Sequence, residues 1–300
     1  IDKGIPYTGN PDDCEITAVT YDSRKVKSGT LFVAIAGFKV DGHDFISQAI
    51  DNGAAAILSN GRSPKIKTVP IIQVENPRLA MSQISAQFYG NPSESMNVVG
   101  ITGTNGKTSI THILHHILQE SGSSCGMLGT LGFRTPTGMV STGFTTPESV
   151  EIQQMLQTLK MAGVDNVVLE ISSHALELHR IDDVDVDIAV FSNLTPEHLD
   201  FHGEMENYFT SKLQLFKGLS NMKTAVINID DPYSDRICSA TSAKIITYGM
   251  NEKADLHPTQ SNFSLNGTEA KLQYGKTEFS VNNVLVGKYN LSNIMAASAV

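Results

Sequence analysis

The chain has 300 residues, a length typical of two domains with a substantial hydrophobic core. Apolar residues make up 40% of it and charged residues 18%, which excludes a disordered or collagen-like protein. The 22 basic and 31 acidic residues give a net charge of −9, a balance that disfavours general binding to DNA or RNA. We therefore expect no nucleic-acid partner.

Neither a membrane span nor a secretory leader is visible in the sequence. No apolar run approaches the roughly 18–20 residues that cross a bilayer, and residues 1–4 show no basic stretch before an apolar core. Cys14, Cys125 and Cys238 are far apart and odd in number, which favours a reducing compartment over a disulfide framework or a zinc cluster. These features predict a cytoplasmic protein without membrane insertion.

The first 90 residues alternate short apolar runs with helix-like segments. Strands are predicted at 31–35, 55–58 and 71–74, and helices at 45–52 and 79–89. The turn-rich stretch 90–95 separates this region from the next. We therefore predict a small α/β domain at 1–94 and a second domain at 95–300.

The second region has a stronger β-α rhythm with nearly continuous apolar strands, which is typical of a doubly wound, mostly parallel sheet. Strands are predicted at 97–101, 166–171, 188–191 and 225–229, and helices at 108–120, 147–162 and 207–219. Between 255 and 283 the pattern changes to short alternating strands, with a hairpin signal at Asn266-Gly267. This predicts a small antiparallel section before a helix that begins near Asn290.

The strongest local signal is the Gly-rich stretch 100–109, which follows a strand and opens a helix. Glycines let backbone N–H groups surround phosphate oxygens, and the helix N-terminus favours an anion. Lys107 adds a positive charge for the outer phosphates, and the Thr108 hydroxyl suits magnesium. Ile101 stands where the longer phosphate-loop pattern requires Gly, so Gly103-x-x-Gly106-Lys107-Thr108 is a shorter variant.

Two further stretches follow predicted strands and so lie at the same edge of the sheet. Glu170 ends an apolar strand, where it is either an ordinary strand-end carboxylate or a ligand of the magnesium that contacts Thr108. In the stretch 193–203, His198, Asp200 and His202 could form an independent metal site of a metallohydrolase. We prefer a single histidine, His198, that assists a second magnesium.

Several motifs resemble, in this order, those of the Mur ligases, which build the peptide stem of peptidoglycan. They lie at 102–109, 145–148, 170–176, 193–203, 208–216 and 287–293. The details are most similar to the MurE type, which adds the third amino acid. Thr145-Thr146-Pro147-Glu148, the stretch 171–176 and the N-terminal stretches 22–24 and 37–43 favour that type.

The resemblance implies a UDP-binding domain, a central ATPase domain and a C-terminal Rossmann-like domain. The 300 residues end where the central domain would end, so we expect the third domain to be absent and the fragment alone to be inactive. The implied reaction uses ATP to phosphorylate UDP-N-acetylmuramoyl-L-alanyl-D-glutamate. The amine of L-lysine or meso-diaminopimelate then attacks the acyl phosphate to form an amide. A monomeric enzyme is expected.

The resemblance also implies roles for individual residues. Lys107, Glu170, His198 and Lys212 would be catalytic. Magnesium ligands would be Thr108, Glu170, His198 and Lys212, the last as a CO2-derived carbamate. ATP would be bound by Gly103, Thr104, Asn105, Gly106, Lys107, Thr108, Ser109, Asn290 and Asn293. The muropeptide would contact Ser23, Thr145, Thr146, Ser172 and Arg180.

Three alternatives stay open at this point. The chain could be a related amide ligase such as a folylpolyglutamate synthetase, or a non-catalytic binding protein of the same descent. Helix geometry alone would make Lys212 a surface lysine. In addition, Glu197 stands where the usual family pattern has Asp before the histidine.

Overall fold

The computed structural model describes residues 7–8, 14–37, 40–61 and 69–300. The expectation of no leader at residues 1–4 lies outside these ranges. The described residues form two compact units. The first comprises the described residues up to Pro92 with 148–154 and 178–184, and the second comprises 93–147, 155–177 and 185–300. The two short segments of the first unit lie within the predicted second domain, and the domain limits 1–94 and 95–300 stay a prediction.

The first unit contains a five-stranded sheet with the strand order β1-β5-β4-β3-β2, parallel except for β1. Up to residue 92 its elements are β1 Tyr7–Thr8, β2 Ala18–Thr20, β3 Thr30–Val33, α1 Ile46–Asp51, β4 Ala54–Ser59, β5 Ile71–Val74 and α2 Pro77–Phe88. The three strands and two helices predicted here are confirmed within a few residues.

Strand β3 is buried on both faces, which explains its uninterrupted apolar sequence. Leu31 and Val33 belong to one hydrophobic cluster, and Phe32 and Ala34 belong to another that includes Ile46. Successive side chains of a strand point to opposite faces, so one strand supplies both clusters. The sheet of this unit is therefore covered on both sides.

The second unit is organised around an eleven-stranded sheet. From residue 93 onward the elements are β6 Asn97–Thr102, α3 Lys107–Glu120, β7 Cys125–Gly129, β8 Gly132–Thr135, β9 Gly138–Val140, α4 Ser149–Met161, β10 Asn166–Glu170, α5 Ser173–Glu177, β11 Ile188–Phe191, α6 Leu199–His202, α7 Met205–Lys217, β12 Thr224–Asn228, α8 Ser234–Ala240, β13 Lys244–Tyr248, β14 Leu256–Ser264, β15 Gly267–Tyr274, β16 Thr277–Asn283 and α9 Lys288–Ala299. Short 3₁₀ helices occur in both units.

The strand order in this sheet is β16-β15-β14-β13-β12-β11-β6-β10-β7-β8-β9. Strands β7 and β10 to β13 run parallel with β6 near the centre, and β14 to β16 form the predicted antiparallel section. This confirms the α/β fold class. A second antiparallel section, β7 to β9, was not predicted. Because β6, β10 and β11 are parallel neighbours, the segments that follow them meet at one edge.

Among the helices that the structure describes, none combines the length and the apolar character needed to cross a membrane.

Tyr248 links the core of the second unit to strand β11. Its side chain is 1% exposed, and its hydroxyl donates a hydrogen bond to the carbonyl oxygen of Phe191 over 3.1 Å. Burial raises the pKa of this phenol above its ordinary value of 10.0. Ionising Tyr248 inside the fold would remove that donor and leave a charge in an apolar core.

We expect Tyr248→Phe to lower the stability of the second unit at neutral pH by about 0.5–1.5 kcal/mol, because one buried hydrogen bond is lost. The folded pKa of Tyr248 is raised, so its stabilising effect is complete below pH 10.0 and is lost as the pH rises beyond that value. Wild type should therefore lose more stability above pH 10 than the variant does. Urea unfolding followed by circular dichroism at neutral and alkaline pH measures both effects.

The matched control is Tyr289→Phe, because Tyr289 is 88% exposed and its loss should change neither result. Equal alkaline destabilisation of wild type and Tyr248→Phe would contradict the prediction.

Candidate functional site

The Gly-rich loop predicted from the sequence connects β6 to α3 in a backbone conformation that requires glycine. Gly103 and Gly106 have φ angles of 143° and 89°. A Cβ atom on Gly103 would lie 2.0 Å from Ser192 Oγ, and one on Gly106 would lie 2.3 Å from Asn293 Oδ1. The loop backbone is therefore pressed against the segment after β11 on one side and against α9 on the other.

Hydrogen bonds from the segment after β11 hold this loop in place. Asn193 accepts the Thr104 N–H at its carbonyl oxygen (2.8 Å) and the Asn105 N–H at its side-chain oxygen (2.9 Å). The Ser192 hydroxyl and the Asn193 side-chain amide both donate to the Asn105 carbonyl oxygen. A backbone fixed in this way needs little reorganisation when an anion binds.

One cavity of about 300 Å³ adjoins the loop. It is lined by most of the loop residues assigned to ATP, by two residues assigned to the muropeptide and by two of the four residues assigned to metal. Its lining consists of Thr104, Asn105, Gly106, Lys107, Thr108, Ser109, Thr130, Thr145, Ser172, Glu197 and His198. The α3 N-terminus begins here with no side-chain cap, which leaves its first N–H groups for an anion.

Two lysines donate to the same carbonyl oxygen of the loop. The Lys107 ammonium donates to the carbonyl oxygens of Gly103 (3.0 Å) and Thr104 (2.8 Å), and Lys212 Nζ donates to that of Gly103 over 2.8 Å. Burial lowers the pKa of Lys107, against the attraction of Glu197 and Glu170. The pKa of Lys212 lies well below its usual 10.5, first because of burial and then because of the charge on Lys107.

Lys212 is not the surface lysine that helix geometry alone suggested. It is 2% exposed on the inner face of α7, and its Nζ lies 4.5 Å from the ring centroid of Tyr208. The hydroxyl oxygen of Tyr208 lies 3.1 Å from Thr104 Oγ1. Burial raises the pKa of Tyr208 to about 12. The Lys212 amine is thus held between an aromatic face and a loop carbonyl oxygen.

Glu170 lies at the end of β10 and is 1% exposed. Its Oε2 accepts a hydrogen bond from the Thr108 hydroxyl over 2.9 Å, and its Oε1 accepts the Thr130 N–H over 3.0 Å. A Cβ on Gly129 would lie 2.1 Å from Oε1, so the carboxylate occupies space that only glycine leaves. Glu170 is therefore a fixed carboxylate beside the first turn of α3, as its strand-end position predicted.

The pairing of the Thr108 hydroxyl with the Glu170 carboxylate fits magnesium, because both are hard oxygen donors. Within the described ranges, no three or more His, Cys, Asp and Glu side chains are grouped so as to hold a metal ion. A magnesium ion here would therefore need further oxygen ligands from water or from phosphate, which is usual for that ion.

His198 lines the cavity, but it does not form a metal cluster with its neighbours. It adopts a left-handed backbone conformation (φ 56°) just before α6, and its ring lies 4.9 Å from that of His174. His202 is buried, with Nε2 2.9 Å from the Ser173 hydroxyl oxygen. Among the described residues no metal-binding group of side chains includes His198, Asp200 or His202, so the structure gives the metallohydrolase alternative no support.

The remaining predicted residues lie around or away from the cavity. Asn293 contacts the loop at Gly106, whereas the Asn290 side chain donates to the Val286 carbonyl oxygen over 2.9 Å. Thr146 is 3% exposed, and its hydroxyl donates to the Glu170 carbonyl oxygen over 2.8 Å. Thr146 therefore orders the strand end and does not line the cavity.

Ser23 and Arg180 belong to the first unit and do not line this cavity. The Ser23 hydroxyl lies 2.9 Å from Gln48 Oε1. Arg180 pairs with Glu148 over 2.8 Å, and Glu148 also pairs with Arg78 over 2.7 Å. The two arginines thus share one carboxylate within the first unit.

Sequence reasoning missed Thr130, which follows the unpredicted strand β7, lines the cavity and donates a hydrogen bond to Glu170. Glu197 was noticed only as a departure from a family pattern, yet it lines the cavity. Short strands rich in glycine carry a weak sequence signal. No signal in this sequence alone points to Thr130.

Two family descriptions match this chain. The Mur ligase middle domain matches residues 101–300, and the Mur ligase family catalytic domain matches residues 15–89. A curated relative, the UDP-N-acetylmuramoyl-L-alanyl-D-glutamate–2,6-diaminopimelate ligase of Halalkalibacterium halodurans, is 40% identical over 296 residues. The match covers 98% of this chain and 60% of that protein, so the chain spans part of its relative's length.

A solved structure of a ligase with the same name superposes with a TM-score of 0.82 at 29% identity, covering 94% of this chain and 58% of the other. The folylpolyglutamate synthase of Mycobacterium tuberculosis, with ADP and AMPPCP, gives a TM-score of 0.60 at 16% identity, covering 74% and 57%. At that identity the likeness extends to the fold alone. The family matches, the loop beside Glu170 and the shared fold identify this chain as a member of the Mur ligase family.

Proposed function

We propose that this chain supplies the ATP site and muropeptide contacts of an ATP-dependent amide ligase in peptidoglycan synthesis. Its substrate is UDP-N-acetylmuramoyl-L-alanyl-D-glutamate, and the whole protein adds a diamino acid as the third residue. The relatives' names favour 2,6-diaminopimelate over L-lysine as that residue. One observation carries the proposal: a single cavity is lined both by the loop 104–109 and by Thr145 and Ser172.

The loop residues Gly103, Thr104, Asn105, Gly106, Lys107, Thr108 and Ser109 hold the triphosphate of ATP. Lys107 now donates to the carbonyl oxygens of Gly103 and Thr104, and it exchanges these for phosphate oxygens. A charged donor to phosphate makes a stronger hydrogen bond than one to a neutral carbonyl. Asn293, which contacts the loop, and Asn290, one turn earlier on α9, lie near the adenine.

Thr108 and Glu170 hold the first magnesium ion, and His198 with a carbamate on Lys212 holds the second. Bound magnesium supplies charge neutralisation at the transferred phosphoryl group. Thr108 and Glu170 are already hydrogen-bonded at 2.9 Å, so these two oxygen donors are brought together before an ion binds. His198 reaches the same cavity from the segment after β11.

The surroundings of Lys212 favour its conversion to a carbamate. Only an uncharged amine adds to carbon dioxide, forming an N–C bond and releasing a proton. Burial and the nearby Lys107 charge lower the Lys212 pKa, which raises the uncharged fraction at neutral pH. The product is an anion, which the charge of the neighbouring Lys107 attracts, whereas the same charge repels a Lys212 ammonium.

Thr145 and Ser172 contact the muropeptide beside the loop, and Thr146 orders the end of β10 through its bond to the Glu170 carbonyl oxygen. Ser23 and Arg180 are assigned to the muropeptide by the family resemblance alone. An oxygen of the muropeptide's terminal carboxylate attacks the γ-phosphorus of ATP. The bond between that phosphorus and the departing ADP oxygen breaks. The amine then attacks the acyl carbon, phosphate leaves and the amine nitrogen gives up a proton. Attack needs the reacting atoms roughly 3–3.5 Å apart, so the residues act mainly by positioning.

The direct test is calorimetric titration of this chain with MgATP and with UDP-N-acetylmuramoyl-L-alanyl-D-glutamate. We expect both to bind. The whole protein should release phosphate from ATP only when the dipeptide substrate and a diamino acid are both present. Binding of folate-type substrates in place of the muropeptide would overturn the assignment in favour of the folylpolyglutamate alternative.

Removal of the Lys107 charge should weaken nucleotide binding. We expect Lys107→Ala to reduce ATP affinity by about 1.5–3 kcal/mol, the range for a hydrogen bond to a charged group. Calorimetry measures the change, with Lys160→Ala as the matched control because Lys160 is an exposed lysine of the second unit. Unchanged ATP affinity in Lys107→Ala would show that the loop does not hold phosphates.

The carbamate is tested on Lys212 itself. We expect one carbamate carbon signal in the NMR spectrum of the chain after exposure to ¹³C-bicarbonate. The signal should be absent from Lys212→Ala. It should be retained in the control Lys217→Ala, which changes an exposed lysine of the same helix. In the whole protein, Lys212→Ala should abolish amide formation, and short carboxylic acids should restore part of it. Full activity of Lys212→Ala in carbonate-free buffer would exclude the carbamate role.

A further inference from the structure

Thr130 makes two hydrogen bonds to the carboxylate of Glu170. Its N–H donates to Oε1 and its hydroxyl donates to Oε2, each over 3.0 Å. Thr108 also donates to Oε2 over 2.9 Å. A buried carboxylate with three donors on two oxygens has little freedom to rotate, so Thr130 determines where the negative charge of Glu170 lies.

The same Thr130 hydroxyl contacts Thr145, whose Oγ1 lies 3.1 Å away. A hydroxyl has one proton to donate, and an ionised carboxylate can only accept. Because Thr130 gives its proton to Glu170, the donor in the contact between the two threonines is Thr145. The direction of donation therefore runs from Thr145 through Thr130 to Glu170.

This chain of hydroxyl groups runs from the cavity lining to the start of α3. Thr145 and Thr130 line the cavity, and Glu170 is paired with Thr108 at the start of α3. Strands β7 and β10 pair in parallel up to Leu128 and Leu169, so the backbone brings the segment that contains Thr130 beside Glu170. The absence of a side chain at Gly129 admits the Glu170 carboxylate. Thr130 thus occupies a fixed place between the two positions.

We propose that Thr130 is a positioning residue that couples muropeptide binding at Thr145 to divalent-cation binding at Glu170. The inference rests on the proposed function. A substrate oxygen that accepts the Thr145 proton withdraws it from Thr130. Hydrogen bonds in a chain strengthen one another, so the bond from Thr130 to Glu170 then weakens and more negative charge remains on Oε2 for the cation. Each ligand consequently tightens the binding of the other, and the factor is the same in both directions.

The coupling is measured as a ratio of Mn²⁺ affinities. The 300-residue chain with bound AMPPCP is titrated with Mn²⁺, followed by electron paramagnetic resonance, with and without saturating UDP-N-acetylmuramoyl-L-alanyl-D-glutamate. We expect the dipeptide to tighten Mn²⁺ binding about fivefold or more, the lower end of usual coupling between sites. Thr130→Val keeps the branched shape and the N–H but lacks the hydroxyl, and it should bring the ratio close to one.

Thr130→Ser restores the hydroxyl and should restore the ratio, which keeps the test valid if the Val variant is poorly folded. Thr137→Val removes an exposed threonine hydroxyl from the β8–β9 turn and should leave the ratio unchanged. A purely structural role would weaken Mn²⁺ binding equally with and without the dipeptide. An unchanged ratio in Thr130→Val, a ratio lost in Thr130→Ser, or no coupling in wild type would overturn this inference alone. Failure of wild type to bind the nucleotide and dipeptide would overturn the proposed function, and this inference with it.

Discussion

The close approach of the Gly103 backbone to Ser192 is the constraint on which the cavity depends. No side chain fits between them, since a Cβ would lie 2.0 Å from the serine oxygen. This contact brings the carbonyl oxygen of Gly103 to Lys107 and Lys212, and places Thr104 and Asn105 against Asn193. The parallel pairing of β6 with β11 determines that the two segments emerge side by side. Two lysines can share one acceptor only because the sheet holds the loop there.

The sequence predicted the parts of the fold whose apolar pattern is continuous. Strands β10, β11 and β12 are buried on both faces, and their runs of valine, isoleucine and leucine could be recognised without partners. Strand β9 was missed because all three of its residues are exposed, so it carries no burial pattern. The sequence also could not predict that residues 148–154 belong to the first unit, because this depends on the packing of Val150 against residues far away in sequence.

At the candidate site, local motifs predicted residue types but not their contacts. Gly106, Lys107 and Thr108 were identified because strand, loop and helix follow directly in the chain. The burial of Lys212 was different, since an interior lysine and a surface lysine have the same helical spacing. Only the packing of α7 distinguishes them, with Tyr208 fully buried beside it. Thr130 could not be predicted for a similar reason, because its hydrogen bond to Glu170 joins residues that are 40 positions apart in the sequence.

The packing of α9 on α3 has a consequence for the synthesis of the chain. Ile110 and Leu114 of α3 share a hydrophobic cluster with Leu291 and Met295 of α9, and Asn293 contacts the loop at Gly106. Strand β6 itself pairs with β10 and β11, which lie far downstream. Such long-range parallel pairing forms slowly. The Gly-rich loop is translated in the first half of these 300 residues, but the elements packed around it are complete only after α9 has left the ribosome. Until then, the apolar faces of β6 and α3 lack their final partners, and such exposed apolar surface makes an incomplete chain prone to aggregate.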